Sequence, residues 1–184
     1  MVIDGTGDTG VLFQMNAAGS TLRRVTMTRV AALNSVSWGK HAVYGKAADL
    51  TLEDVAASCS GYCASVFSLR YNGAVLRRFS ASGAPHAVTY YETSSVRGNV
   101  LVESGSGSFT GDTAIWMDAE TDYQSAIYQS FTFRNVDFTG PSGSKFLRIA
   151  SGRLQGSVRI ENCTINGHPV TASDVDNVPN LVIA

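Results

Sequence analysis

Phe131-Thr-Phe-Arg-Asn-Val-Asp-Phe138 and Val158-Arg-Ile-Glu-Asn-Cys-Thr-Ile165 follow one pattern. Apolar residues stand at the first and third places, a charge at the fourth and Asn at the fifth. Apolar places then resume at the sixth and eighth. Alternation at period two marks a strand. Asn in its middle marks a sharp corner, because Asn tolerates the left-handed backbone region. The same pattern lies upstream at Ser20–Met27, Leu50–Ala57 and Ala74–Ala81, and more weakly at Val100–Gly105. Its third place is Leu22, Leu52, Leu76, Val102, Phe133 and Ile160, a repeat of about 28 residues. A unit of that length cannot bury its apolar face alone, so its copies stack into a solenoid.

A second short strand precedes each copy: Val11–Met15, Ala42–Tyr44, Ser65–Leu69, Ala87–Tyr90, Ala114–Met117 and Phe146–Ile149. Each repeat then holds about three short strands, and helical periodicity of useful length is lacking. Such coils close as an all-β parallel β-helix, with equivalent strands about 4.8 Å apart. The rival architecture is a β-sandwich, which gives no reason for corner residues to recur in register. Residues 1–166 are expected to form about six to seven coils. Residues 167–184, which contain Pro169 and Pro179, are expected to form an irregular extension or cap.

The segments Phe131–Val136 and Val158–Cys163 resemble the strand–Asn–strand corner of the right-handed parallel β-helix, or pectate-lyase-like, superfamily. The likeness runs from Val2 to at least Ile165. It implies a right-handed coil and a carbohydrate partner, a poly- or oligosaccharide. Members include polysaccharide lyases, glycoside hydrolases, epimerases, phage tailspikes and adhesins. The implied function is polysaccharide processing or tailspike-like receptor binding. An extracellular or virion-surface location goes with it, as does a homotrimer or a larger parent protein. Lyase members use carboxylate-bound Ca2+ and a basic residue to abstract a proton, and their signatures are not visible here. The alternative is a non-catalytic structural or adhesive solenoid, a fragment of a longer fibre or surface protein.

Composition narrows the field further. Charged residues are 16% of the chain and the net charge is -1, which argues against a nucleic-acid binder. No apolar run is long enough for a membrane-spanning helix. Met1-Val-Ile-Asp-Gly has neither the basic nor the apolar region of a signal peptide. The fourth place of the pattern reads Arg23, Glu53, Arg77, Glu103, Arg134, Glu161. Stacked outward, these side chains alternate in sign and form a solvated ion ladder. Each exposed pair is worth about 0–1 kcal/mol, so the ladder chiefly fixes register.

Candidate chemistry is sparse. Cys59 and Cys63 either close a small disulfide loop in an exported protein or remain free thiols, and Cys163 falls on an inward place. His41 and His86 open equivalent strands two coils apart, too far from one another to share a metal. Asp118, Glu120 and Asp122 alternate, so an extended segment presents all three carboxylates on one face. That face would suit Ca2+ or the paired carboxylates of a glycosidase, and the three are the candidate catalytic residues. Tyr91, Trp116 and Arg148 are the candidate saccharide contacts. Alternation points Tyr44, Tyr91 and Trp116 outward in one column, with Arg70 and Arg148 beside them. Rings next to guanidinium groups suit sugar faces and acidic substituents.

Overall fold

The computed structural model describes residues 1–4, 13–30, 41–61, 63–93, 95–120 and 125–184. The described residues wind as a parallel β-solenoid of about six turns, essentially without helix. Its first sheet holds β1 (Val2–Asp4), β3 (Thr21–Val30), β5 (Thr51–Cys59), β7 (Val75–Ala84), β9 (Asn99–Phe109), β11 (Ser130–Thr139), β13 (Val158–Glu161) and β17 (Leu181–Ile183), in that spatial order. The second holds β2 (Phe13–Met15), β4 (His41–Gly45), β6 (Ser65–Leu69), β8 (His86–Glu92), β10 (Thr113–Ala119), β12 (Lys145–Ile149) and β16 (Val175–Asp176). Neighbours along both paths pair in parallel, which excludes the sandwich. Part of the expected strand Val11–Met15 lies outside the described residues; β2 is its described portion.

The repeat register is the one read from the sequence. Leu22, Leu52, Leu76, Val102, Phe133 and Ile160 stand in direct register, and none is more than 7% exposed. The fifth place turns the chain. Arg24, Asp54, Arg78, Ser104, Asn135 and Asn162 all have positive φ, between 48° and 55°. The hydrogen-bonded ladder runs on through all of these corners but the last, at Asn162, so in the other copies the expected pair of short strands appears as one long, bent strand. That leaves two sheets where three strands per repeat were expected.

Beyond the corner, Val25, Val55, Phe79, Gly105 and Val136 occupy equivalent inward places. Gly105 leaves its rung without a side chain, and the Phe79 ring takes that room: a Cβ on Gly105 would overlap the ring. Phe79 meets Phe67 edge-on at 5.8 Å and Phe138 at 6.3 Å, so rings cross the core between the sheets.

The charge column exists, and one member departs from expectation. Glu53 is buried, at 6% exposure, rather than solvated. Arg23 at 2.5 Å, Arg77 at 3.2 Å and the corner residue Arg78 close over its carboxylate. Arg134 joins Glu103 at 3.8 Å and Glu161 at 2.5 Å, so both of its rung neighbours are paired.

Residues 167–184 first turn aside and then rejoin the coil. β14 (Thr164–Ile165) forms a small antiparallel ladder with β15 (His168–Pro169). After a 3-10 turn at Ala172–Asp174, β16 adds to β12 and β17 adds to β13. Cys59 and Cys63 are bridged, while Cys163 is a free, buried thiol that burial pushes above its usual titration range. Among the described residues no helix is long and apolar enough to cross a membrane.

Candidate functional site

The outer face of the second sheet gathers five of the six candidate residues. Asp122 lies outside the described residues. Trp116 and Arg148 are register partners on β10 and β12, and Tyr91 and Asp118 are register partners on β8 and β10. Glu120 follows directly after β10. Trp116, Tyr91 and Arg148 are all half-buried.

The expected column of three rings is not one column. Tyr44 lines up through Ser68 and Thr89 with Trp116, whereas Tyr91 stands two residues further along its strand. Thr89 holds the rung that alternation had given to a ring. Tyr91 and Trp116 are therefore diagonal neighbours on adjacent coils, about 7–8 Å apart at the backbone. Tyr44 is also buried, at 2% exposure, and so adds no contact surface.

Arg70 organises this face. Its guanidinium lies 4.8 Å from the Tyr44 ring centre and 5.0 Å from that of Tyr91, and it pairs with Glu120. Burial pushes the Tyr91 hydroxyl above its ordinary titration range, while the Arg70 charge pulls the other way. Arg148 pairs with Asp112 and, at 3.0 Å, with Asp176; these carboxylates hold its guanidinium still more firmly charged. Asp118 accepts from the Ala119 amide at 2.7 Å and faces Arg153 at 3.6 Å. Both described carboxylates of the candidate catalytic set are thus engaged by arginines.

Sequence reasoning missed the partners that fix these residues. His86 stacks on Trp116 at 6.4 Å and bonds through Nδ1 to the Thr113 carbonyl at 2.8 Å. Arg153 ties Asp118 to the Ser125 carbonyl at 2.7 Å. Nearer the strand entries, a buried chain runs from His41 Nδ1 to Ser65 Oγ at 2.7 Å and on to Thr89 Oγ1 at 2.9 Å. It joins three successive coils. Ser65 is fully buried, so this Ser–His contact stitches coils together and presents no nucleophile. The signal available was the repetition of His-Ala-Val at His41 and His86.

Among the described residues no three His, Cys, Asp or Glu side chains converge as a metal site. No family model matches the sequence, and a comparison with curated proteins finds no match either. The chemistry of this face therefore follows from its own geometry.

Proposed function

We propose that this solenoid binds carbohydrate on the outer face of its second sheet, as a receptor-type binding domain rather than a glycan-cutting enzyme. One observation carries the reading. Tyr91 and Trp116 stand diagonally on adjacent coils, Arg70 against the first and Arg148 beside the second. A half-buried ring offers an apolar surface to the C–H face of a sugar, and guanidinium edges donate to its hydroxyl or acidic oxygens. His86 packs on the Trp116 ring and Arg70 on the Tyr91 ring, so little side-chain freedom is lost when a sugar binds.

Hydrolysis fits this face less well. A glycosidase needs two carboxyl groups free to flank the scissile bond. Here Glu120 is held by the buried Arg70, and Asp118 by Arg153 and a backbone amide. The ion pairs suit a preformed surface that keeps its shape.

A glycan array probed with the full chain, followed by calorimetry on the best binder, tests the proposal. Trp116→Ala should weaken binding by about tenfold or more, equivalent to about 1.4 kcal/mol. Its melting curve serves as the check on folding. Absence of any glycan ligand, or full affinity in a folded Trp116→Ala protein, overturns the reading and leaves a structural solenoid. Release of new reducing ends from the bound glycan would overturn its non-catalytic part.

A further inference from the structure

A cleft of about 500 Å³ lies round the turn from this face, where the chain enters the first sheet. Its wall is a ladder. Asn99, Ser130, Ser157 and Asn180 hold the place just ahead of the pattern on four successive coils. Asn99 and Ser130 are register partners, and Ser157 Oγ donates to Ser130 Oγ at 3.1 Å. The Phe131 amide donates to the Ser157 carbonyl at 2.8 Å, and the Val158 amide to the Asn180 carbonyl at 3.0 Å. Three steps of about 4.8 Å make a polar track of about 14 Å parallel to the solenoid axis. Tyr128 lends a half-buried ring, and Arg97 an exposed guanidinium.

Gly98 and Gly156 line the cleft, and the buried Gln129 packs against both. Gln129 is fully buried. Its Nε2 donates to the Val96 carbonyl at 2.7 Å, which holds the residue preceding Arg97. Its Oε1 has no partner among the described residues. A Cβ on Gly98 would stand 3.1 Å from that oxygen, and one on Gly156 would overlap the Gln129 carbonyl. Buried acceptors are nearly always paired. This one is sealed from solvent, and only glycine at position 98 leaves it uncrowded.

Charge selects the occupant. Nine of the eleven arginines pair with carboxylates. Among the described residues Arg97 has no such partner, and none of those lining the cleft is acidic. An extended peptide advances about 3.3 Å per residue and would fall out of step with the ladder. A chain of pyranose rings, each with several hydroxyls, keeps closer pace. We infer that this cleft is a second binding site, independent of the ring face, for a linear glycan bearing carboxylate or sulfate groups. The chain lies along the solenoid axis with an acidic group on Arg97.

Calorimetry at low and high salt decides the matter, using the full chain. The probes are hexamers of mannuronate, galacturonate and chondroitin sulfate, with β-1,4-mannohexaose as the neutral control. At least one acidic hexamer should bind about tenfold or more tighter than mannohexaose, and the advantage should shrink with salt. Arg97→Ala should remove the advantage, Arg97→Lys should keep part of it, and Trp116→Ala should leave it intact. The proposal is overturned if no acidic hexamer outbinds the neutral one, or if Arg97→Ala keeps the preference. It is equally overturned if Trp116→Ala abolishes the preference, which would place the acidic glycan on the ring face.

Discussion

Gly105→Ala asks the core to accept a single methyl group where a ring already sits. The new Cβ would overlap three atoms of the Phe79 ring, whereas unstrained carbon contacts are about 3.5–4.0 Å. Phe79 cannot swing clear, because it is 4% exposed and packed on Phe67 and Phe138. Overpacking of this kind costs about 1–3 kcal/mol. Loss of glycine's unfolded-state freedom returns about 0.4–1 kcal/mol, so a net destabilisation of about 1–2 kcal/mol is expected. Phe79→Val alone opens a cavity and should cost about 2–3 kcal/mol, short of the 3–5 kcal/mol typical of Phe→Ala. The double variant restores a column of small residues flanked by Val55 and Val136, so its cost should fall below the sum by about 1–2 kcal/mol. Urea unfolding followed by circular dichroism, with the slope against denaturant unchanged, measures all three. A Gly105→Ala protein as stable as the parent, or strictly additive variants, would refute the account of how these two rungs share space.

Three further outcomes are expected. Arg24 holds φ of 55° at an exposed corner and has no ion pair among the described residues; Arg24→Asn should therefore raise the urea midpoint, by about 0.5–1 kcal/mol of stability. Arg134, and after it Arg159, hold the Glu161 carboxyl below its ordinary value of 4.5. A lowered folded value means stability that is present above about pH 4.5 and lost as pH falls through the folded value. In Arg134→Gln, NMR titration should show the Glu161 midpoint moving up. Reducing the Cys59–Cys63 bridge, whose partners are 4 residues apart, should cost about 2 kcal/mol by loop entropy. Thiol titration of the unreduced protein should find no reactive group when folded and Cys163 when denatured.

The coil was legible because two signals repeat in the same frame. An inward apolar place and an outward charge recur at Leu22 and Arg23, then at Leu52 and Glu53, and so on to Ile160 and Glu161. The corner was legible only at Asp54, Asn135 and Asn162, whose side chains tolerate the left-handed region. Arg24, Arg78 and Ser104 adopt it as well, because the coils stacked on either side impose a conformation that their local preference does not favour. The burial of Glu53 depends on Arg78 reaching in from the corner, a contact that no column of fourth places contains. At the ring face, alternation put Tyr91 and Trp116 on the outside. It could not show that Thr89 and Ser68 separate Tyr44 from Trp116. The cleft was not legible. Its ladder place reads Asn99, Ser130, Ser157 and Asn180 but Gly73 and Asp49 earlier in the chain, and only stacking reveals it as a continuous track.

Each strand of the two parallel paths has its partner one coil away, 21 to 32 residues along the chain. No strand of the regular coil waits for a distant segment. During synthesis at about 5–20 residues per second, a coil of about 28 residues takes roughly 1–6 s to emerge. Strand pairing is faster by several orders of magnitude. The molecule can therefore grow by accretion, the finished face of one coil templating the next, as a crystal adds layers. A fault such as a misplaced ring between Phe79 and Gly105 would then act as a growth defect. Earlier coils would stay ordered and later ones would find no template, so proteolytic fragments should end near the fault rather than at random.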